Sequence, residues 1–99
     1  MTVKAKRGRR RYIAVKLTPA PRSRGDAWHA MLAGFRRAGI SPERIRLLIL
    51  DGETAVVSCA HTAVTPVSAV LNGSLGPYTS RTLLVSGTVR TVKEKYGLL

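Results

Sequence analysis

A single cysteine, Cys59, stands in this 99-residue chain, so no internal disulfide can form. A small domain of that kind is held together by packing or by partners. It suits a reducing compartment, which makes the cytoplasm the expected location. Carboxylates are nearly as scarce. The five present are Asp26, Glu43, Asp51, Glu53 and Glu94, and each falls at an expected cap, turn or solvated helix surface, where acidic side chains are favoured. No two have a spacing that would converge them for acid–base work. Cys59-Ala60-His61 is the only close Cys/His pair, and His29 lies on an expected helix beside Trp28. The roughly four ligands of a zinc site are not at hand. Cys59 is expected to face a core, with no partner to orient it as a nucleophile. Neither a Walker loop nor a GxGxxG turn occurs. Asn72 is the only asparagine and sits at a helix end, which leaves an acylphosphatase-type enzyme without a side chain to position water. The protein is therefore expected to bind no cofactor or metal of its own and to be non-catalytic alone.

Long apolar runs are missing as well. None approaches the ~18 residues of a membrane span, and the N-terminus is basic with no hydrophobic region behind it. Neither a membrane protein nor a secretory precursor is expected. Aromatic residues make up 5% of the chain, and the third expected strand has none. That argues against the base-stacking strand of an RNA-recognition motif and leaves Tyr12 as the one residue placed to stack on a base.

What the chain has in abundance is positive charge. Seventeen Lys and Arg against five acidic residues give a net charge of +12. Self-repulsion of that size disfavours the compact state, and a polyanionic partner relieves it. Nucleic acid fits best, because no long helix with a basic face and a bulky apolar face is present for a membrane surface. The first eleven residues, MTVKAKRGRRR, hold six of the cations. Residues 1–10 read as a disordered basic arm that orders on a phosphate backbone, with Arg7, Arg9 and Arg10 as contacts, and residues 11–99 as one domain.

Within that domain, Ile13, Val15 and Leu17 alternate with Tyr12, Ala14 and Lys16 as in a half-buried strand. TPAPRSRG is a loop, since Pro19 and Pro21 bar regular structure. A helix from about Asp26 to Ala38 carries Trp28, Met31, Leu32 and Phe35 on one stripe and stops at Gly39. Ser41-Pro42-Glu43 suggests a capped turn. Ile45–Leu50 and Glu53–Ala60 are expected to form a hairpin around Asp51-Gly52, a pair suited to a type I′ turn. A short helix begins near Thr65, with Pro66 at its first position, and ends at Asn72-Gly73. A loop over Ser74–Ser80 leads to a last strand, Arg81–Ser86, and Thr88–Tyr96 continues as a helix with Val89, Val92 and Tyr96 on one face. The order predicts an α+β, ferredoxin-like sandwich (βαββαβ, antiparallel sheet) with a C-terminal helix. Ser86-Gly87-Thr88, at a helix start, could hold a phosphate on free backbone N–H groups.

Two segments carry a resemblance. RRYIAVKL at Arg10–Leu17 and RTLLVSGTVRTVKEKYG at Arg81–Gly97 resemble the opening strand and the closing strand and helix of the ribonuclease P protein component 2 family, small α/β subunits of archaeal ribonuclease P with a eukaryotic relative in ribonucleases P and MRP. The resemblance implies an RNA-binding sandwich that pairs with a larger TIM-barrel protein subunit, in assemblies that include heterotetramers. It also implies support of a catalytic RNA, whose own Mg²⁺ ions serve removal of 5′ leaders from precursor tRNA. By position it marks Arg11, Tyr12, Arg81, Ser86, Gly87, Thr88, Arg90 and Lys93 as an RNA or partner surface. The chain departs from the family in its middle, where the helix before Asn72 is short. Another ribosomal or RNA-associated module of the same fold is the alternative.

Overall fold

The structure, a computed structural model, describes residues 10–43 and 45–87. Five strands and two helices follow in the order β1 (Arg10–Thr18), α1 (Arg24–Arg37), β2 (Arg46–Asp51), β3 (Thr54–Ala60), α2 (Val64–Val70), β4 (Gly73–Leu75) and β5 (Tyr78–Ser86). The strands lie in the order β2-β3-β1-β5-β4, and every neighbouring pair is antiparallel. Because β3 lies between β1 and β2, the β1-α1-β2 unit is split, which is the ferredoxin-like arrangement expected. The expected Thr88–Tyr96 helix lies outside the described residues.

The alternation in β1 decides the layers. Ile13, Val15 and Leu17 are fully buried against the helices, with Val57, Ala55 and Cys59 from β3. The opposite face has a smaller apolar cluster. There Ala14 and Val56 are fully buried, with Tyr12, Ile49, Leu83 and Leu84 packed around them. Two register shifts build that second cluster, one between Leu47 and Ile49 on β2 and one opposite Ala14/Val15 on β5. A bulge inserts an extra residue and turns neighbouring side chains to the same face.

Helix α1 begins two residues earlier than its apolar stripe implies. Ser23 caps it, its Oγ accepting from the Asp26 amide at 3.1 Å, so Ser23 and Asp26 together start the helix. At the other end the Gly39 amide donates to Arg36 O at 3.1 Å and the Ile40 amide to Phe35 O at 2.8 Å, with Gly39 at φ 77°. Those are the two bonds of a Schellman stop. The buried face of α1 is also rotated from the expected one. Ala27, Ala30, Met31 and Phe35 are buried, whereas Trp28 packs at the margin and Leu32 is half-buried outside the core. Small residues let the helix approach closely. A β-carbon on Gly34 would lie 2.9 Å from both Leu75 Cδ2 and Val70 Cγ1.

Three local expectations are corrected. The Ser74–Ser80 segment is mostly not loop: β4 and an extended β5 form a hairpin in which Leu75 pairs with Tyr78 around Gly76-Pro77. Gly76, at φ 60°, provides the positive φ that a two-residue turn needs at its first position. The β2–β3 turn centres on Gly52-Glu53, since Asp51 pairs with Thr54. Only glycines have positive φ among the described residues, Gly52 at 61°, so the turn is of the II′ class; type I′ would need Glu53 positive as well. Finally, a 3-10 turn over His61–Ala63 leads into α2, which begins at Val64 and so places Pro66 inside the first turn. That position costs no helix hydrogen bond.

Candidate nucleic-acid interface

Residues directly opposite in an antiparallel pair share a face of the sheet. On the face away from the helices, Tyr12 is paired with Ser86 on β5 and with Ser58 on β3, and Ser58 is paired in turn with Arg46 on β2. One row therefore crosses four strands: Ser86, Tyr12, Ser58, Arg46. The next row is apolar, Leu84, Ala14, Val56 and Ile49. Beyond it come Arg81, Lys16, Thr54 and Asp51.

The first row borders an open cleft of about 340 Å³ lined by Arg10, Tyr12, Glu43, Arg46, Leu48 and Ser58. Arg10 is the first described residue and belongs to β1, paired with Ala60, so it lies in the sheet and not in the expected arm, whose other residues lie outside the described ones. Its guanidinium donates to the Ser58 hydroxyl at 2.7 Å. Ser58 is only 4% exposed, and the contact orients the arginine over the sheet. Arg11 points to the other face. Its guanidinium donates to Arg10 O at 3.2 Å and lies beside Gly87, where an added β-carbon would be 3.5 Å from it.

The fold thus brings Arg10, Arg11, Tyr12, Ser86 and Gly87 to one end of the sheet. Arg81 is not with them. It pairs with Lys16, four residues along β1 from Tyr12, a separation of about 14 Å at strand rise. Arg7, Arg9, Thr88, Arg90 and Lys93 lie outside the described residues. Arg46 and Ser58 are not among the expected residues. The alternation of Arg46 with Leu47 hints that Arg46 faces outward, but nothing in a linear chain pairs it with Tyr12 through Ser58.

Cys59 faces the core and is fully buried. Burial pushes its thiol up from the ordinary range, and the Arg10 charge offsets this in part. Among the described residues, no three of His, Cys, Asp and Glu gather as metal ligands would. No described helix is long and apolar enough to cross a membrane.

No protein-family model matches the chain, and no curated protein matches it by sequence. Comparison of folds gives a match. A chain in the cryo-EM structure of yeast ribonuclease MRP superposes with a TM-score of 0.59. This protein shares that fold. The likeness covers 91% of this chain and 92% of the yeast one, at 14% sequence identity.

Proposed function

We propose that this chain is an RNA-binding protein subunit of a ribonucleoprotein of the ribonuclease P and MRP type. The observation that carries the reading is the likeness to a chain of yeast ribonuclease MRP over nearly the full length of both, in a protein of net charge +12. The gathering of Arg10 and Arg46 at one cleft of the sheet supports it from the other side, since phosphate contacts provide most of the affinity in such complexes. The finer reading is ribonuclease P itself, and it rests on the terminal motifs. In that reading the RNA performs 5′-leader removal from precursor tRNA with its own Mg²⁺. The protein binds no cofactor, acts in the cytoplasm and docks against a larger TIM-barrel subunit, in a heterotetramer where two pairs join.

Arg10, Tyr12, Ser86, Gly87 and Arg46 form the centre of the RNA surface in this reading, with Arg11 at the same end on the opposite face. Arg7 and Arg9 extend it along the arm, and Thr88, Arg90 and Lys93 extend it beyond Gly87. Arg81 is a peripheral contact at the far end of the sheet. The role is one of positioning and charge neutralisation, not cleavage.

Sequencing the RNA that co-purifies with the native protein tests the proposal. A single large structured RNA is expected, along with precursor tRNA cleavage that depends on that RNA. Recovery of ribosomal RNA instead would assign the chain to another RNA-associated module of the same fold.

A further inference from the structure

The cleft beside Tyr12 contains a feature that phosphate binding alone does not explain. Arg10 and Arg46 make it cationic, yet Glu43 lines it too. A carboxylate repels phosphate, so a site built only for the backbone would be better without it. The same carboxylate accepts hydrogen bonds from N–H donors, and the exposed edge of a nucleobase with an amino group presents them. Tyr12 offers a ring between the two arginines and the apolar cluster of Ala14 and Val56. A base can stack there only if it is unpaired. The volume, about 340 Å³, lies at the small end of ligand-site sizes.

We propose that this cleft takes one unpaired nucleotide of single-stranded RNA whose base has an exocyclic amino group. The base stacks on Tyr12 and donates to Glu43, while the flanking phosphates lie against Arg10 and Arg46. The inference rests on the RNA-binding reading above and adds to it a preference for cytosine, adenine or guanine over uracil, whose one N–H on that edge is flanked by two carbonyl oxygens that a carboxylate repels. Ser58 positions Arg10 for that contact through the 2.7 Å hydrogen bond. Arg46 is exposed on the edge strand β2, where its side chain can follow the ligand.

The test uses the full chain and three labelled RNAs at one fixed salt concentration: a cytidine hexamer, a uridine hexamer and a structured precursor tRNA. Fluorescence anisotropy is expected to show the cytidine hexamer binding at least about tenfold tighter than the uridine one, the lower value of one hydrogen bond to a charged group. Glu43→Ala, on an exposed turn, removes that preference. Arg46→Gln weakens both hexamers alike. Tyr12→Leu, which keeps apolar volume over Val56, weakens both at least about fivefold because the stacking surface is gone. Equal binding of the two hexamers by the wild-type chain overturns the base preference. If Tyr12→Leu and Arg46→Gln leave hexamer affinity unchanged while precursor tRNA still binds, the cleft is not a nucleotide site and the RNA-binding reading stands. If none of the three RNAs binds, both fall. If Arg46→Gln instead abolishes association with a protein subunit and leaves the hexamers unaffected, an acidic side chain of that partner occupies the cleft.

Discussion

The Arg10 guanidinium donates to the Ser58 hydroxyl at 2.7 Å, joining residues 48 positions apart on adjacent strands. Ser58→Ala removes the acceptor while leaving Arg10 able to rehydrate. The expected loss is about 1 kcal/mol, within the ~0.5–1.5 kcal/mol of an ordinary hydrogen bond rather than the larger cost of a stranded charge. Urea unfolding checks it. RNA affinity is expected to fall as well, because an unheld arginine pays more conformational entropy on binding.

Charge reversal separates the two ends of the sheet. Arg46→Glu is expected to weaken RNA binding more than Arg81→Glu, because Arg46 shares a row with Tyr12 and Arg81 lies two rows away. Both side chains are exposed, so the melting temperature should move little in either case. Equal losses of affinity would show that the whole outer face, rather than one end of it, meets RNA.

Removing residues 1–9 takes away Lys4, Lys6, Arg7 and Arg9 and spares Arg10, which belongs to β1. The domain is expected to keep its stability. The log–log salt dependence of RNA binding should flatten by about 0.7–0.9 for each phosphate that the arm no longer neutralises. An unchanged slope would assign the arm to solubility alone.

Gly34 sets two magnitudes against each other. Alanine gains about 1 kcal/mol in helix propensity over glycine. Its β-carbon, however, would meet Val70 and Leu75 at 2.9 Å, and overpacking costs about 1–3 kcal/mol. Val70 is β-branched and has little rotamer freedom with which to yield. Gly34→Ala is therefore expected to destabilise the domain by about 1 kcal/mol, and a more stable variant in urea unfolding would contradict that packing.

Cys59 gives a pH dependence of known sign. Its folded-state thiol is pushed up by burial, so the folded protein holds this proton at a pH where the unfolded chain has begun to lose it. Stability from this site is full below the unfolded thiol range and declines as pH rises through it toward the folded value. Cys59→Ala should flatten the alkaline fall in the urea midpoint relative to wild type. Native protein should also resist thiol alkylation until it unfolds.

Much of the fold is legible in the chain's patterning. The alternation of Ile13, Val15 and Leu17 and the helical spacing of Met31 and Phe35 report burial directly, since each period matches one backbone geometry. The hairpin around Gly76-Pro77 escapes such a reading because β4 has only three residues, too few for a pattern. The rotation of α1 escapes it because hydrophobic spacing counts large side chains, whereas Ala27, Ala30 and Gly34 are what allow close approach. Of the expected site residues, Arg10, Arg11, Tyr12, Ser86 and Gly87 lie at one end of the sheet, with Arg11 on the opposite face, and Arg81 lies at the other end.

The sequence by itself determined the sign of the charge and the kind of layered fold. Charge count and hydrophobic period belong to the chain whatever its topology. Only the tertiary structure decided which cation stands beside which aromatic. Tyr12 reaches Arg46 through Ser58 because β3 inserts between β1 and β2 in one register. A slip of one residue would turn Ser58 into the core and Cys59 out to the cleft. The burial of Val57 and Cys59 against the helices resists that slip, so the apolar core holds the polar row in place.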